Sequence, residues 1–495
     1  MSKTYLPYQP TQSFLLPTSP LDWLPEDHLA RFVLDTVGEL DLSEIFSYYD
    51  REVRGYPPHH PRMMVALLLY AYCVGVPSSR KIERRTHEDI AFRVLSANTH
   101  PDHTRISEFR RIHLPALTKL FVQVLRLCQK MGLVKLGHVA LDGTKLKANA
   151  SKHKAMSAER MTQDIARLES EVAKLLQQAE QADADEDQEH GKSRRGDELP
   201  QELRRREGRL ARIRALQEDL LAEAQQQAQT RVAEQSEEAQ AQAVVGEMNN
   251  IRYAKQLGNR PDDDDDSPPG APLTLVPEPM PEHQVPVGKD GLPTAKAQRN
   301  FTDADSRIMK TGDGFIQGYN AQAMTDEAHQ IIIAADVSNQ SPDAEHMIPM
   351  LDRSIENCGA VPDKCSNDTG YFSEANVVRA QSRGVDLYTA TKRQKHGEPK
   401  EPTEASCPTT ESDIKAQMRR KLATPEGAAV YSRRKVIAEP PFGQIKNRGF
   451  RSFLLRGIEK VRGEWSLITM THNLLKLYKA MRSAAAMGMC VPVAA

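Results

Sequence analysis

A single carboxylate lies among cationic and hydroxyl groups near the C-terminal end of the sequence. Residues 431–446 read Y-S-R-R-K-V-I-A-E-P-P-F-G-Q-I-K, with Glu439 as the only acid. The side chains around it that can bind phosphate are Tyr431, Arg433, Arg434, Lys435 and Lys446. An acid surrounded by phosphate-binding groups is suited to metal-dependent chemistry on a nucleic-acid backbone.

Two further acids end strand-like apolar runs far upstream. Asp142 follows H-V-A-L, and Asp368 follows K-C-S-N. Three carboxylates that meet at one point repel each other unless divalent metal neutralises them, and oxygen-only ligands favour Mg²⁺ or Mn²⁺. Two such ions can activate a water or hydroxyl and stabilise the leaving oxygen of an in-line phosphoryl displacement. The fold decides whether Asp142, Asp368 and Glu439 converge.

Each acid also has a purely structural interpretation. Asp142 and Asp368 each stand just before a glycine-containing turn, so either can be a turn residue that leaves a strand. Glu439 lies four residues after Lys435, the spacing of a surface ion pair on a helix, although the favourable order places Glu first. Taken singly, these signals are weak, and their joint occurrence with a suitable strand order is what favours a site.

Pro440 and Pro441 follow Glu439 directly within an otherwise helical, basic run. Prolines inside a helix disrupt its backbone hydrogen bonds, and a functional site tolerates this more readily than a plain surface helix. If the helix resumes, Lys446 lies two turns beyond Glu439 and returns near the same face.

Composition limits the classes of protein to consider. The 495 residues carry a formal net charge of -1 and leave room for about three domains. The positive charge is concentrated in residues 415–479, where fifteen Lys and Arg face four Glu, a net of +11. The six cysteines form no C-x-x-C pair, no signal peptide is evident, and the longest apolar run, residues 63–76, is too short to span a bilayer. We expect a soluble intracellular protein with no membrane partner.

The first part of the chain, residues 1–135, reads as an all-α domain. Residues 63–69 are apolar all round and predict a buried helix. A short basic helix after Ser78 or Ser79 and a second one around residues 107–111 are similar to a helix-turn-helix, and DNA contact and a solvated basic face are equally good interpretations. A long helix over residues 114–131 is expected to close the domain.

Strand patterns begin at residues 137–142 and resume at 315–323, 330–337, 364–368 and 385–390. Helices are expected between the later strands, and the order resembles the ribonuclease H-like fold, a mixed five-stranded sheet in which the first and fourth strands are neighbours. This assigns residues 136–150 and 295–480 to the catalytic domain. Residues 151–257 read as an inserted α-helical hairpin with a polar turn over 182–200, residues 258–294 as a disordered Asp- and Pro-rich linker, and residues 481–495 as a flexible tail.

The sequence resembles bacterial insertion-sequence transposases of the DDE type, in the group with a Tyr-x2-Arg-x3-Glu-x6-Lys signature. Tyr431-x2-Arg434 and Glu439-x6-Lys446 match, but four residues rather than three separate Arg434 from Glu439, so Arg434 and Lys435 are both candidates for the basic role. The segments L-D-G-T-K, N-D-T-G-Y-F-S, D-S-R-I-M-K-T-G-D-G-F-I-Q-G-Y-N-A-Q and R-G-F-R-S-F-L-L-R-G also resemble the group's patterns.

The resemblance implies a function and a site. Asp142, Asp368 and Glu439 would be the catalytic, metal-binding acids, with two Mg²⁺ or Mn²⁺ ions. The phosphate-binding residues would be Tyr431, Arg434, Lys435 and Lys446. The N-terminal domain would bind the terminal inverted repeats, and a homodimer would cut two ends and join them to target DNA in the nucleoid of the cytoplasm. A ribonuclease H-like structure-specific nuclease and a transposase-derived DNA-binding regulator without catalysis are the alternatives.

Overall fold

The N-terminal third of the chain folds into helices that pack around one buried member. The computed structural model describes residues 19–51, 58–190, 204–230, 277–392 and 413–486. The N-terminal helices are α1 (Leu29–Glu39), α2 (Ser43–Tyr49), α3 (Pro61–Cys73), α4 (Ser79–Glu88), α5 (Ile90–Leu95) and α6 (His103–Lys130). Within these ranges, none of the helices combines the length and apolar character that a membrane crossing requires.

Helix α3 is the predicted buried helix. Pro61 occupies its first turn, where a missing N–H costs nothing, and every residue from Met64 to Cys73 is buried. An all-round apolar surface of this kind requires neighbours on every side, and α1, α5 and the C-terminal helix α13 (Ile458–Ala486) supply them.

Helix α6 corrects the prediction of a short basic helix followed by a separate long one. Asp102 caps it by accepting hydrogen bonds from the backbone N–H groups of Thr104 and Arg105, and the helix then runs 28 residues through Pro115. Proline weakens a helix, but here the buried residues continue on both sides of it, and packing outweighs the lost bond. The two-helix motif expected after α3 is therefore α4, α5 and the beginning of a long helix.

The central sheet has six strands rather than the five expected. They are β1 (His138–Lys147), β4 (Arg307–Thr311), β5 (Gly314–Asp326), β6 (Ile332–Ser338), β7 (Lys364–Asn367) and β8 (Asp386–Thr389), in the order β4-β5-β1-β7-β8 with β6 also paired to β5. Strand β1 pairs with β5 antiparallel and with β7 parallel, and β7 pairs with β8 parallel. Sequence patterning missed β4 because its five residues, R-I-M-K-T, show no regular alternation and stand next to a Gly-Asp-Gly turn.

Helices cover the sheet and connect it to the N-terminal part. They are α9 (Met347–Cys358), α10 (Glu374–Ser382), α11 (Asp413–Ala423), α12 (Pro425–Asn447) and α13. Helix α13 approaches α6 so closely that a Cβ on Gly463 would meet the side chain of Leu114. One hydrophobic core therefore includes residues of the N-terminal helices, the sheet and α13.

Two helices and a small ribbon leave the sheet after β1. Strand β2 (Ala155–Ser157) pairs with β3 (Gln298–Asn300), α7 spans Ala158–His190, and α8 is a helix over residues 204–230. Helices α7 and α8 share an apolar cluster that includes Met161, Leu168, Leu210 and Ile213. Helix α7 continues into the predicted polar turn over residues 182–200, since its Ala, Glu and Gln residues favour helix, and the connection to α8 lies outside the described residues.

Two expectations of disorder need correction. In the predicted linker, residues 277–294 pack on the protein: Met280 and Val285 are buried, and the carbonyl of Pro281 accepts a hydrogen bond of 2.6 Å from the Ser338 hydroxyl. Apolar anchors among the prolines explain this order, because prolines also reduce the entropy lost on folding. Residues 258–276 lie outside the described residues. The predicted tail begins as helix, since α13 extends to Ala486.

Candidate active site

Asp142 lies on the face of β1 against which α12 packs. Alternate strand residues share a face, and Ala140 on this face contacts Ile437 and Ala438 of α12. Four residues further along the strand than Ala140, the Thr144 hydroxyl accepts a hydrogen bond of 2.7 Å from the Lys446 ammonium group.

The two elements run side by side in the same direction. The helix rises about 12 Å between Ala438 and Lys446 at 1.5 Å per residue, and the strand rises about 13 Å between Ala140 and Thr144. Because the two lengths match, contacts at both ends place the part of α12 between Ala438 and Lys446 alongside Asp142.

Asp368 directly follows the strand that pairs with β1. Ala140 pairs with Ser366, so the same parallel register extended by two residues brings Asp142 opposite Asp368. Each carboxylate accepts a hydrogen bond of 2.8 Å from a nearby backbone N–H, Gly143 for Asp142 and Gly370 for Asp368. Local backbone geometry therefore orients both acids near the carboxyl end of β7, in the interior of the sheet.

Burial and nearby negative charges disfavour the ionised form of Asp142. Burial is the largest cause that raises its pKa, to about 6, and the negative charges of Asp368 and Glu439 raise it further. The Arg434 guanidinium opposes this effect and lowers the pKa of the same carboxyl. The two other predicted acids thus lie close enough to Asp142 to disfavour its ionised form.

The side chain of Glu439 is exposed beside Asp142 and Asp368. Its side chain forms no ion pair among the described residues, so the surface pair with Lys435 is absent. Over the same residues, no three or more His, Cys, Asp or Glu side chains lie close enough together to hold a metal ion. Asp142 and Asp368 are oriented by the backbone, whereas Glu439 has no ion-pair partner in the described part of the chain that holds it away from them.

Arg434, rather than Lys435, faces the acids. Burial raises the pKa of Tyr431, the charge of Asp368 raises it further, and a hydrogen bond with Arg434 lowers it. The guanidinium carbon of Arg434 lies 5.9 Å from the centre of the Tyr431 ring. Arg434 is half-buried, while Lys435 is exposed and lacks a contact with the acids among the described residues.

Lys446 is a second cation, with Arg434, beside the acids. Burial lowers its pKa and the negative charge of Asp142 raises it, which places the ammonium near that carboxylate. Arg433, in contrast, forms an ion pair with Glu327 and points away from this group. Four of the predicted side chains therefore surround Asp142 (Asp368, Glu439, Arg434 and Lys446), and Tyr431 adjoins Asp368.

A polar network behind Asp142 was missed in the sequence. Gln322 of β5 lies opposite Gly143, and its amide donates to the Asp343 carboxylate at 3.1 Å. Asn320 donates to the same oxygen at 2.7 Å, and the Tyr371 hydroxyl donates to the side-chain amide oxygen of Gln322. The available signal was the alternation of polar residues in N-A-Q, within a stretch of β5 in which every residue is buried.

These buried groups belong electrostatically to the same site. Burial raises the pKa of Tyr371 well above its usual range, and the charges of Asp343, Asp142 and Asp368 raise it further. A Cβ on Gly370 would lie 3.0 Å from one oxygen of Asp368 and 3.4 Å from one of Asp343. Asp343 is thus a fourth acid near the carboxyl end of β7, held by two amides.

The donor chemistry fits a hard divalent cation. The acids offer carboxylate oxygens only, the ligand type that Mg²⁺ and Mn²⁺ prefer. A cation beside Asp142 would offset the repulsion that raises its pKa. The side chains that could hold such an ion are Asp142, Asp368 and Glu439.

Two segments of the chain match known protein families. Residues 19–111 match the family described as "Transposase domain (DUF772)", and residues 284–474 match the "Transposase DDE domain". No curated protein and no solved structure matches the chain. The second segment contains Asp368 and Glu439, whereas Asp142 lies in neither. Both matches are to transposases, and together they support an insertion-sequence transposase of the DDE type.

Proposed function

We propose that this chain, as a transposase of the DDE type, binds the terminal inverted repeats of an insertion sequence, cleaves DNA at its ends and joins those ends to target DNA. The coupling of Asp142 to Asp368 and Glu439, beside two phosphate-binding cations, is the observation that carries this proposal. The order β6-β5-β1-β7-β8 supports a ribonuclease H-like catalytic domain.

The acids would bind metal, and the cations would bind phosphate. Asp142, Asp368 and Glu439 would hold Mg²⁺ or Mn²⁺, which when bound activates a water or hydroxyl and stabilises a leaving oxygen. Arg434 would bind the phosphate next to the cut through its planar guanidinium, and Lys446, fixed by Thr144, would bind as a point charge. Both steps are phosphoryl transfers that need no covalent protein intermediate.

Binding of the DNA ends would involve the N-terminal helices. Helix α4 exposes Arg80, Lys81, Arg84 and Arg85 on its surface. Arg84 and Arg85 pair with acids one turn further along, whereas Arg80 and Lys81 form no ion pair among the described residues. Two ends must be cut and joined together, so we expect a homodimer in the complex with DNA.

The test is cleavage and joining of DNA that carries the inverted repeats flanking the gene. Asp142→Asn, Asp368→Asn and Glu439→Gln should each abolish cleavage in Mg²⁺ while the protein still binds the DNA. The matched control is Asp363→Asn, an exposed acid just before β7. It should leave cleavage unchanged.

Each other outcome has a definite meaning. Retained cleavage in any of the three folded variants would remove that acid from the site. Cleavage by the unaltered protein without joining would indicate a structure-specific nuclease. Metal-independent binding with no product in any condition would indicate a DNA-binding regulator.

A further inference from the structure

A basic cavity lies in the part of the chain inserted after β1, outside the predicted catalytic residues. It has a volume of about 690 Å³ and lies between the turn over Lys152–Lys154, the start of α7 and one face of α8, with Phe301 and Thr302 also in its wall. Its Lys and Arg side chains are Lys154, Arg160, Arg204, Arg205, Arg209 and Arg212. No Asp or Glu lines it among the described residues.

The charge of this cavity is largely uncompensated. Arg209 lies 3.6 Å from Asp164, which also pairs with Arg167 at 2.9 Å. The other five cations form no ion pair with the described residues, and all six are exposed to solvent. Like charges held this close repel each other, and a bound polyanion would offset that cost.

Helix α8 presents the cations as a stripe. Arg205, Arg209 and Arg212 follow the spacing of one helical face, with Gly208 between them, while Leu210 and Ile213 on another face pack into the core shared with α7. A Cβ added to Gly208 would have nothing within 4 Å, so the cavity is open at the centre of the stripe. The apolar face fixes the helix, and the basic face is left available.

The extent of the stripe favours a polymer over a single anion. Arg205 and Arg212 are separated by about 10 Å along the helix axis, and Lys154 and Arg160 face them from the opposite wall. Duplex DNA carries one charge per about 1.7 Å of its axis. A guanidinium group can bind two oxygens of one phosphate at once, which suits a series of backbone phosphates.

The path of the chain connects this cavity to the proposed catalytic site. Strand β1 carries Asp142 and then Lys145 and Lys147, and the chain continues through exposed Lys152 to Lys154 in the cavity wall. The Arg456 guanidinium donates to the Asn149 carbonyl at 3.0 Å and adds a further exposed cation beside this path. The chain therefore carries cations from the second half of β1 to the cavity.

We propose that this cavity, the α8 cleft, is a second DNA-binding site that holds the phosphate backbone of duplex DNA away from the position of cutting. This rests on the proposed function for the identity of the polyanion. Contacts of this kind are independent of base sequence, so the α8 cleft would add affinity and set the direction of the duplex without reading the terminal repeats.

The test measures binding of a labelled duplex without metal across a range of salt concentrations. The variant Arg160→Gln/Arg205→Gln/Arg212→Gln removes three cations that have no acidic partner. Each phosphate contact contributes about 0.9 to the slope of log affinity against log salt. That slope is negative, and the variant should make it shallower by about 2 to 3 and weaken binding at least about tenfold at 0.1 M salt.

The matched control has the same net charge. Arg126→Gln/Lys130→Gln/Lys174→Gln removes three exposed cations that do not line the cleft, and it should leave the slope nearly unchanged. A second pair of variants, Gly208→Glu and Gly208→Ala, adds a carboxylate or only a methyl group at the open centre of the cleft. Gly208→Glu should weaken binding, and Gly208→Ala should not.

Equal slopes for the two triple variants, or equal binding by the two Gly208 variants, would overturn the α8 cleft as a DNA site. Circular dichroism of each variant establishes that it is folded. Cleavage by the unaltered protein is measured in parallel, so the two proposals can fail separately. If the unaltered protein cleaves DNA but the cleft variants bind as it does, the α8 cleft alone is rejected. If the cleft variants bind more weakly but the unaltered protein does not cleave, the catalytic proposal alone is rejected.

Discussion

Replacement of Asp142 by Asn should stabilise the fold at alkaline pH while abolishing catalysis. Its carboxyl has a pKa raised from 3.8 to about 6, first by burial and then by Asp368 and Glu439. An acid whose pKa is raised by folding contributes stability that is present below its unfolded pKa and lost as the pH rises through the folded value. The ionised form therefore opposes folding above pH 6.

The size of the effect follows from the shift. A change from 3.8 to about 6 corresponds to about 3 kcal/mol at 1.36 kcal/mol per unit. Asp142 is only partly shielded from water, and solvent screening reduces the expected gain to about 1 to 2 kcal/mol. The oxygen of the introduced amide remains able to accept the hydrogen bond from the Gly143 backbone N–H, so the substitution removes mainly the charge.

The fluorescence of Trp465 provides the assay. The chain has two tryptophans, and Trp465 is fully buried beside the site, where its indole donates to the Gln322 carbonyl at 2.9 Å. In a Trp23→Phe background, urea unfolding followed by Trp465 fluorescence gives the free energy of unfolding of this region. Asp142→Asn should be more stable than the parent at pH 8, and the difference should vanish below about pH 4.

Magnesium supplies a second readout. A cation that binds only the folded protein raises its stability by mass action, so Mg²⁺ should stabilise the parent at pH 8 and leave Asp142→Asn unchanged. Asp363→Asn, the exposed acid before β7, should show neither effect. A variant at Asp142 that is no more stable than the parent at pH 8, or a gain independent of pH, would refute the reasoning.

Three further substitutions test the surroundings of the site. Tyr371→Phe removes the hydroxyl that donates to Gln322 and should lower the free energy of unfolding by about 1 kcal/mol. Gln330→Leu removes the amide that donates to the Val436 carbonyl at 2.9 Å and should cost about 1 to 3 kcal/mol, both measured by urea unfolding. Lys446→Met should leave folding nearly unchanged but slow DNA cleavage at least about tenfold, since a charge-assisted phosphate contact is lost.

Each of these expectations has a contradicting result. Unchanged stability in Tyr371→Phe would mean that the network behind Asp142 is satisfied in another way. A Gln330→Glu variant as stable as the parent, although its side chain can only accept, would show that the donated hydrogen is unimportant. Full cleavage activity in Lys446→Met would show that this ammonium group does not bind the phosphate.

The strand patterns in the sequence predicted the two strands that carry or directly precede Asp142 and Asp368. Asp142 follows the apolar residues Val139, Ala140 and Leu141, whereas Asp368 follows the mixed run K-C-S-N. The expected strand order, rather than composition, made their two strands neighbours. The prediction of five strands omitted β4, and the prediction of a helix break before Pro115 divided α6. Both predictions depended on local signals alone. Tertiary packing decides such cases.

Side-chain choices within the site required the fold. The sequence left Arg434 and Lys435 equivalent, and only the packing of α12 against β1 makes Arg434 half-buried and Lys435 exposed. Asp343 and Gln322 could not be assigned, because they reach the site through pairing between strands and loops that are distant in sequence. Spacing along one segment carries no information on such contacts.

The proline pair beside Glu439 shows how a local rule and a tertiary contact combine. Pro440 cannot donate to the carbonyl of Val436 one turn earlier, yet α12 continues through it. The missing donor is replaced by Gln330, whose own amide oxygen accepts from Lys476 at 2.8 Å. The hydrogen bond that the proline removes from the helix thus becomes a bond between the helix and the turn that joins β5 to β6. Because Glu439 directly precedes Pro440, this hydrogen bond also ties the backbone beside Glu439 to the sheet.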